Sequence, residues 1–164
     1  IRDGYIKMIN AARSTLYIQT PYLIPDDSFI NSLKLAAASG VDVRIMIPAV
    51  PDKWYVYKVT MSYAGDMLAN GIKGFMHEGF LHSKMVVMDD EVASIGTTNA
   101  DIRSFALDFE LNAFVYDKQF ATQARNLFEK DLMKCTELTI VDYRKRGFFE
   151  ACIECLFRPF GPLM

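Results

Sequence analysis

The chain has two histidines, His77 and His82, and the second lies among residue types able to act on a phosphodiester. In His82-Ser83-Lys84-Met85-Val86-Val87-Met88-Asp89 an imidazole stands two residues from an ammonium. Residues two apart in a strand share a face, so His82 and Lys84 are expected to point together while Met85 and Val87 enter the opposite layer. Gly96-Thr97-Thr98-Asn99 follows at the end of the next predicted strand, where the Asn99 amide can donate into the same space. Glu110 falls on a further predicted strand. There a carboxylate can accept the Nδ1–H of His82 and leave Nε2 with the lone pair needed for attack. Displacement at phosphorus builds charge on the phosphoryl oxygens, and Lys84 and Asn99 are the donors suited to stabilise it. No carboxylate cluster of metal-ligand spacing accompanies them, and His77 and His82, five apart across a predicted turn, do not form a helical chelating pair. A metal-free reaction without cofactors is expected.

Asp89 has odd parity relative to His82 and Lys84, so a regular strand turns it to the other face. It is expected to be a structural acceptor at the Asp89-Asp90 turn, although the motif discussed below places it among the catalytic candidates. Thr97 and Arg103 are the candidate substrate-binding residues. Arg103, close after Asn99, reads either as a contact to a second phosphate or as half of a surface ion pair.

The elements that must position these groups follow from periodicity and punctuation. A helix is predicted from about Gly4 to Arg13, then a buried strand over Leu16-Tyr17-Ile18-Gln19-Thr20 that ends at Pro21. Asp26-Asp27-Ser28 supplies capping chemistry for a helix through Ala38, with Gly40 beyond its end. Val41 to Ile47 alternates at period 2 and stops at Pro48, which makes the opening a βαβ unit. A helix over about Lys53 to Asn70 and a strand over Ile72 to Met76 come next. Strands are then expected over Leu81–Met88, Val92–Gly96 and Phe109–Tyr116, followed by helices over Lys118–Met133 and about Arg146–Phe157. The fold class is α/β, a mixed sheet flanked by helices in an α-β-α sandwich, and residues 1–164 read as one domain.

Composition narrows the function. The 164 residues are 51% hydrophobic and 23% charged, which excludes a disordered chain. A formal charge of −2 lacks the positive field that draws nucleic acid from solution, so no nucleic-acid partner is expected. No apolar run reaches the length that spans a bilayer. Three cysteines, Cys135, Cys152 and Cys155, do not make a disulfide framework. The start at Ile1 without Met, together with 13% aromatic residues, is expected of a piece of something larger. Trp54, Tyr55, Tyr57 and Tyr63 read either as core or as aromatics facing lipid. Arg144-Lys145-Arg146, followed by Phe148 and Phe149, reads either as a solvated charge run or as an edge for anionic headgroups.

The composite pattern H-x-K-x4-D-x6-G-T-x-N, with Glu110 eleven residues after Asn99, resembles the HKD signature of the phospholipase D superfamily. Thr97 stands where that family commonly has Ser, and the hydroxyl is kept. Residues 18–27, Gly79 to Lys84, Ser94 to Phe105, Asn112 to Asp117 and the ending Phe157 to Met164 are similar to the C-terminal half of bacterial cardiolipin synthases. The resemblance implies a phospholipase D-like fold and transfer of a phosphatidyl group from one phosphatidylglycerol to another through a phosphohistidine. His82 would be either the nucleophile or the acid/base. It also implies a second HKD half and membrane anchors upstream, a bacterial cell-membrane location, an anionic membrane surface as partner, and homodimerisation as a substitute for the missing half. A homodimeric phosphodiesterase or nuclease of the same superfamily is the alternative.

Overall fold

The computed structural model describes residues 1–50 and 52–163, so Met164, the last residue of the family-like ending, lies outside them. In chain order the first elements are α1 (Arg2–Ala11), β1 (Thr15–Gln19), β2 (Leu23–Ile24), α2 (Asp27–Ala38), β3 (Asp42–Pro48), α3 (Trp54–Leu68) and β4 (Lys73–His77). They are followed by β5 (Met85–Met88), β6 (Val92–Gly96), β7 (Ala100–Asp101), α4 (Ile102–Ala106) and β8 (Asn112–Val115). The last are α5 (Lys118–Leu132), β9 (Cys135–Leu138), α6 (Ile140–Arg144), α7 (Phe148–Phe157) and a 3-10 segment over Arg158–Leu163.

Leu16-Tyr17-Ile18 is apolar on both faces, and β1 accordingly lies at the middle of a seven-stranded sheet of order β8-β6-β5-β1-β3-β4-β9. β1, β3 and β4 run parallel, as the two helical crossovers α2 and α3 require. β5, β6 and β8 continue the other side antiparallel, and β9 closes the far edge antiparallel to β4. The alternation of side chains splits the core. Leu16, Ile18, Val43, Ile45, Val86 and Met88 pack under α1, α2 and α3. Tyr17, Met46, Met85, Val87 and Ala93 meet Ala121, Ala124 and Phe128 of α5 on the opposite face. Tyr17 stacks on Phe128 at 4.8 Å between ring centres.

Asp26 caps α2 by accepting from the Phe29 N–H at 2.9 Å, as its residue type predicts. The predicted C-terminal helix is shorter, Phe148–Phe157, because the backbone is extended at Gly147, and Thr139 caps a separate short helix, α6, before it. Tyr143 of α6 seats on α3 at Gly65, where any Cβ would collide with the Tyr143 ring.

Asp89 ties the turn after β5 to the start of β1. Its carboxylate accepts from the backbone N–H of Arg13, Ser14 and Thr15 at 2.6, 2.8 and 2.7 Å and from the Ser14 hydroxyl at 2.9 Å. Burial pushes this carboxyl up, but the donated hydrogen bonds outweigh it and hold Asp89 below the usual carboxylate range. The carboxylate is a structural acceptor at the end of β5 remote from His82. Its stabilisation is complete above about pH 4 and is lost as pH falls through the lower folded value. Asp89→Ala is expected to lower stability by about 2–3 kcal/mol in denaturant melts near neutral pH, because four donors lose their acceptor. Wild type should approach the variant only in strong acid.

Candidate active site

β5 begins at Met85, so His82 and Lys84 stand in the irregular stretch that feeds it, not in the strand predicted from Leu81. The neighbouring strand supplies the reason. Its register pairs Gln19 with Met85 and would set Thr20 against Lys84 and Pro21 against Ser83. The Thr20 N–H donates to Met46 O at 3.1 Å, and Pro21 has no N–H to offer, so the ladder stops. Alternation nevertheless persists, with Leu81 joining Met85 and Val87 in the core under α5. His82 is exposed, its ring stacked on Phe80 at 5.7 Å. Lys84 Nζ lies 3.1 Å from His82 Nδ1 and donates to the His82 carbonyl at 2.8 Å.

Glu110 is not on a strand and does not meet the His82 ring. Gly96 and Asn112 are the last β6–β8 pair; beyond them the Thr97 hydroxyl accepts the Leu111 N–H at 2.9 Å as the chain turns away. Glu110 therefore sits in the loop before β8, where it accepts from the Ser104 hydroxyl at 3.3 Å. The place expected for its carboxylate at Nδ1 is taken by the Lys84 ammonium. An ammonium has only hydrogens to offer, so Nδ1 of a neutral ring accepts here and Nε2 carries the proton, the tautomer that donates. Attack through Nε2 needs the other tautomer and an acceptor at Nδ1. Burial pushes the Lys84 ammonium below the ordinary lysine value, and the charges of Glu110 and Asp101 push it back up.

Asn99 comes from the other side, on a loop fixed by buried polar groups. Thr98 donates to Asn112 Oδ1 through its hydroxyl at 2.6 Å, while the Asn112 amide donates to the Tyr5 and Ser94 hydroxyls at 2.6 and 3.1 Å. Gly96 permits this approach, since a Cβ there would strike Leu111 O and the Asn112 side chain. Thr20 Oγ1 accepts the Ala100 N–H at 3.1 Å, and the short parallel pairing of β2 with β7 carries the loop to Asp101. Asp101 is buried, which pushes its carboxyl up against hydrogen bonds from Ser104 and Asn99. Asn99 Oδ1 is closed to solvent without a partner among the described residues.

Asn99, Asp101, Tyr22, Lys53 and Arg103 line a cleft of about 310 Å³ that does not include His82 or Lys84. Arg103 also pairs with Asp108 at 3.2 Å, the surface ion pair that was one of its two readings. The Thr97 hydroxyl serves the Leu111 backbone. Tyr22, whose hydroxyl donates to Asp52, was not among the expected site residues. Asn112, Thr20 and Ser104 were also missed. They lie within the family-like stretches 18–27, 94–105 and 112–117, as polar side chains beside apolar ones. His77 ends β4, buried, with Nδ1 accepting the Gly79 N–H at 3.1 Å. Among the described residues no group of three His, Cys, Asp or Glu is placed to hold a metal ion.

Residues 5–132 match the domain family described as cardiolipin synthase, phospholipase D-like domain. The chain belongs to that family. It is 47% identical over 165 aligned residues to the cardiolipin synthase of Listeria monocytogenes, covering 100% of this chain and 34% of that protein. The chain thus spans about a third of the length of the curated relatives it matches. Among solved structures, Nuc from Salmonella typhimurium, a phospholipase D family member, superposes with a TM-score of 0.72 at 18% identity, over 84% of this chain and 90% of that one. Phosphatidylserine synthase from Haemophilus influenzae superposes at 0.73 and 16% identity, over 96% of this chain and 41% of that one. Both place this mixed sheet and its helices among phospholipase D-like folds.

The two carboxylates behind Lys84 make its charge sensitive to their removal. In the complete enzyme, the alkaline limb of the pH–rate profile is expected below the ordinary lysine range. Glu110→Gln should move it further down, because the charge that raises Lys84 is gone. An unmoved or raised limb would separate Glu110 from Lys84.

Proposed function

We propose that this chain is one catalytic half of a phospholipase D-family phosphatidyltransferase that forms cardiolipin from two phosphatidylglycerols. The observation that carries the reading is 47% identity across the whole chain to cardiolipin synthases, joined to an imidazole and ammonium 3.1 Å apart at an open surface. The comparison speaks for the substrate class and the geometry for the chemistry.

In this mechanism the Nε2 of one histidine attacks the phosphorus of the first phosphatidylglycerol, and the bond from phosphorus to the glycerol oxygen breaks. The second histidine gives its proton to that oxygen, and glycerol leaves a phosphohistidine behind. A hydroxyl of the second phosphatidylglycerol loses its proton to the second histidine and attacks the phosphohistidine, which forms cardiolipin and restores both rings. Lys84 neutralises the non-bridging oxygens during each displacement, and Asn99 donates to them. Glu110 supports the charge of Lys84. Asp89 holds the frame and takes no part in proton transfer. Arg103 and Thr97 border the substrate, with Arg103 free to exchange Asp108 for a phosphate.

The reaction needs imidazoles on both sides of phosphorus, and His77, buried on β4, is not available for the second. The second comes from another HKD half, upstream in the longer chain or from a second copy of this one. A homodimeric phosphodiesterase or nuclease is the second reading, favoured by the fold shared with Nuc over 90% of that chain.

In the full-length enzyme, His82→Ala is expected to reduce transphosphatidylation of labelled phosphatidylglycerol by about 10³-fold or more, and Glu110→Gln by about 10- to 100-fold. Retained turnover in His82→Ala would remove this residue from the chemistry, and hydrolysis of a nucleic acid at a rate above lipid exchange would favour the second reading. Activity should also persist in EDTA, with Lys84 as the cation. Full loss restored by one particular divalent ion would contradict that role.

A further inference from the structure

α7 buries a carboxylate and exposes phenylalanines. Glu154 points inward, beside the partly buried Ile153 and Phe157, while Phe148 and Phe149 face outward. Glu154 is only 4% exposed and accepts from the Tyr143 hydroxyl at 2.8 Å and from Arg146 Nε at 3.0 Å. Glu150, at the flank of the helix, meets Lys58 of α3. At 100° per residue the opposite face holds Phe148, Phe149, Cys152 and Leu156, and Phe148, Phe149 and Leu156 are 78%, 82% and 66% exposed. A surface helix of a soluble domain has the reverse arrangement. Its rotation is not free, because turning the apolar face inward would strip Glu154 of both donors inside the protein.

From this arrangement we infer that α7 is an interfacial element whose outward face enters the headgroup region of an anionic phospholipid surface. Charge supports lipid over a protein partner. Glu154 is buried against Arg146, and Glu150, 48% exposed at the flank of the helix, pairs with Lys58; neither lies on the outer face, and Arg144 is exposed without an ion-pair partner among the described residues just before the helix. An apolar stripe beside a basic residue is the pattern of a helix lying in the membrane surface. At ten residues it is far too short to cross one, and no helix among the described residues is long and apolar enough to do so. The chain leaving α7 runs through exposed Phe160 to Leu163, which lines the cleft with Asn99 and Arg103. An apolar segment therefore leads from the helix to the site. The inference does not rest on phosphatidyl transfer, since His82→Ala should bind a lipid surface as well as wild type.

The experiment is flotation of the protein with vesicles of phosphatidylglycerol and phosphatidylcholine, and with vesicles of phosphatidylcholine alone. Binding is expected to the anionic vesicles and to weaken with salt. Phe148→Ser with Phe149→Ser and Leu156→Ser should lower affinity by roughly tenfold or more, and Arg144→Gln by about fivefold. With Cys135 and Cys155 changed to Ser, an environment-sensitive fluorophore on Cys152 should shift to the blue on binding, which reports burial of this face even if the triple variant folds poorly. No binding by wild type, or binding without a shift at Cys152, would overturn the inference. So would self-association abolished by the triple substitution without any vesicle binding, which would assign the face to a second copy of the chain.

Discussion

A loop that approaches a reaction centre without regular structure must still satisfy its backbone polar groups, and the placement of Asn99 depends on how this chain does so. Residues 97–101 leave the sheet at Gly96, where the last ladder pair is made with Asn112. From there the ties are side chains. Asn112 holds Thr98, Thr20 holds the Ala100 N–H, and Asp101 caps α4 through the Ser104 N–H at 2.7 Å. These groups come from β8, from the end of β1 and from the start of α4, so the loop is fixed only when the sheet has assembled on both sides of β5. The same residues bring Tyr22 and Arg103 to the cleft. A void or an unpaired amide at Asn112 would be felt first at Asn99, although Asn112 itself touches nothing in the cleft.

The sheet and its main helices were legible because their signals are local. The period-2 run at Val41–Ile47, the caps at Asp26 and Gly40, and the helical spacing of Phe120, Ala124 and Phe128 each report on their own element. What escaped depends on distant partners. β9 reads as Cys-Thr-Glu-Leu, with two exposed polar residues, and is a strand only because the open edge of β4 supplies backbone partners. β2 and β7 are two residues each, too short for any periodicity. The predicted start of β5 failed at Pro21, a residue in plain view whose effect requires knowing which strand lies alongside. Within the site, the pairing of His82 with Lys84 was readable from spacing, and so was the structural role of Asp89 from parity. The position of Glu110 was not, because the end of β8 is set by where β6 turns away at Thr97.

The histidine is not among the residues that line the cleft, although Asp101, which lines it, is near enough for its charge to act on Lys84. Asn99, Asp101 and Arg103 line a concave space closed by α3 and the C-terminal segment, whereas His82 stands exposed against Phe80. Electrostatic stabilisation of a transferring phosphoryl group is strong only where water is excluded, and an exposed imidazole beside an ammonium does not meet that condition alone. The Lys84 contact at Nδ1 belongs to this open state. A surface laid over His82 would dry the site, strengthen the attraction of Glu110 for cationic or N–H donors, and favour the ring tautomer with a proton at Nδ1. In the proposed pairing a second half would contribute the surroundings that make the first imidazole competent as well as its own imidazole.

A net charge of −2 looks unfavourable for a protein that meets anionic lipid, and the resolution lies in how the charges are distributed. Asp42, Asp66 and Glu154 are each engaged by two cationic or hydroxyl groups, so their fields are largely compensated within a few ångströms. At a Debye length of about 8 Å a membrane responds to the charges nearest it and hardly to the total. The outer face of α7 carries apolar side chains, and the exposed Arg144 ends α6 just before it in the chain. The Glu150–Lys58 pair with α3 and the Glu154 contacts with Tyr143 of α6 and Arg146 therefore decide what the helix shows to the outside. The inward turn of Glu154 and the outward turn of Phe148 and Phe149 are one structural choice, made by Tyr143 and Arg146, which offer Glu154 its donors.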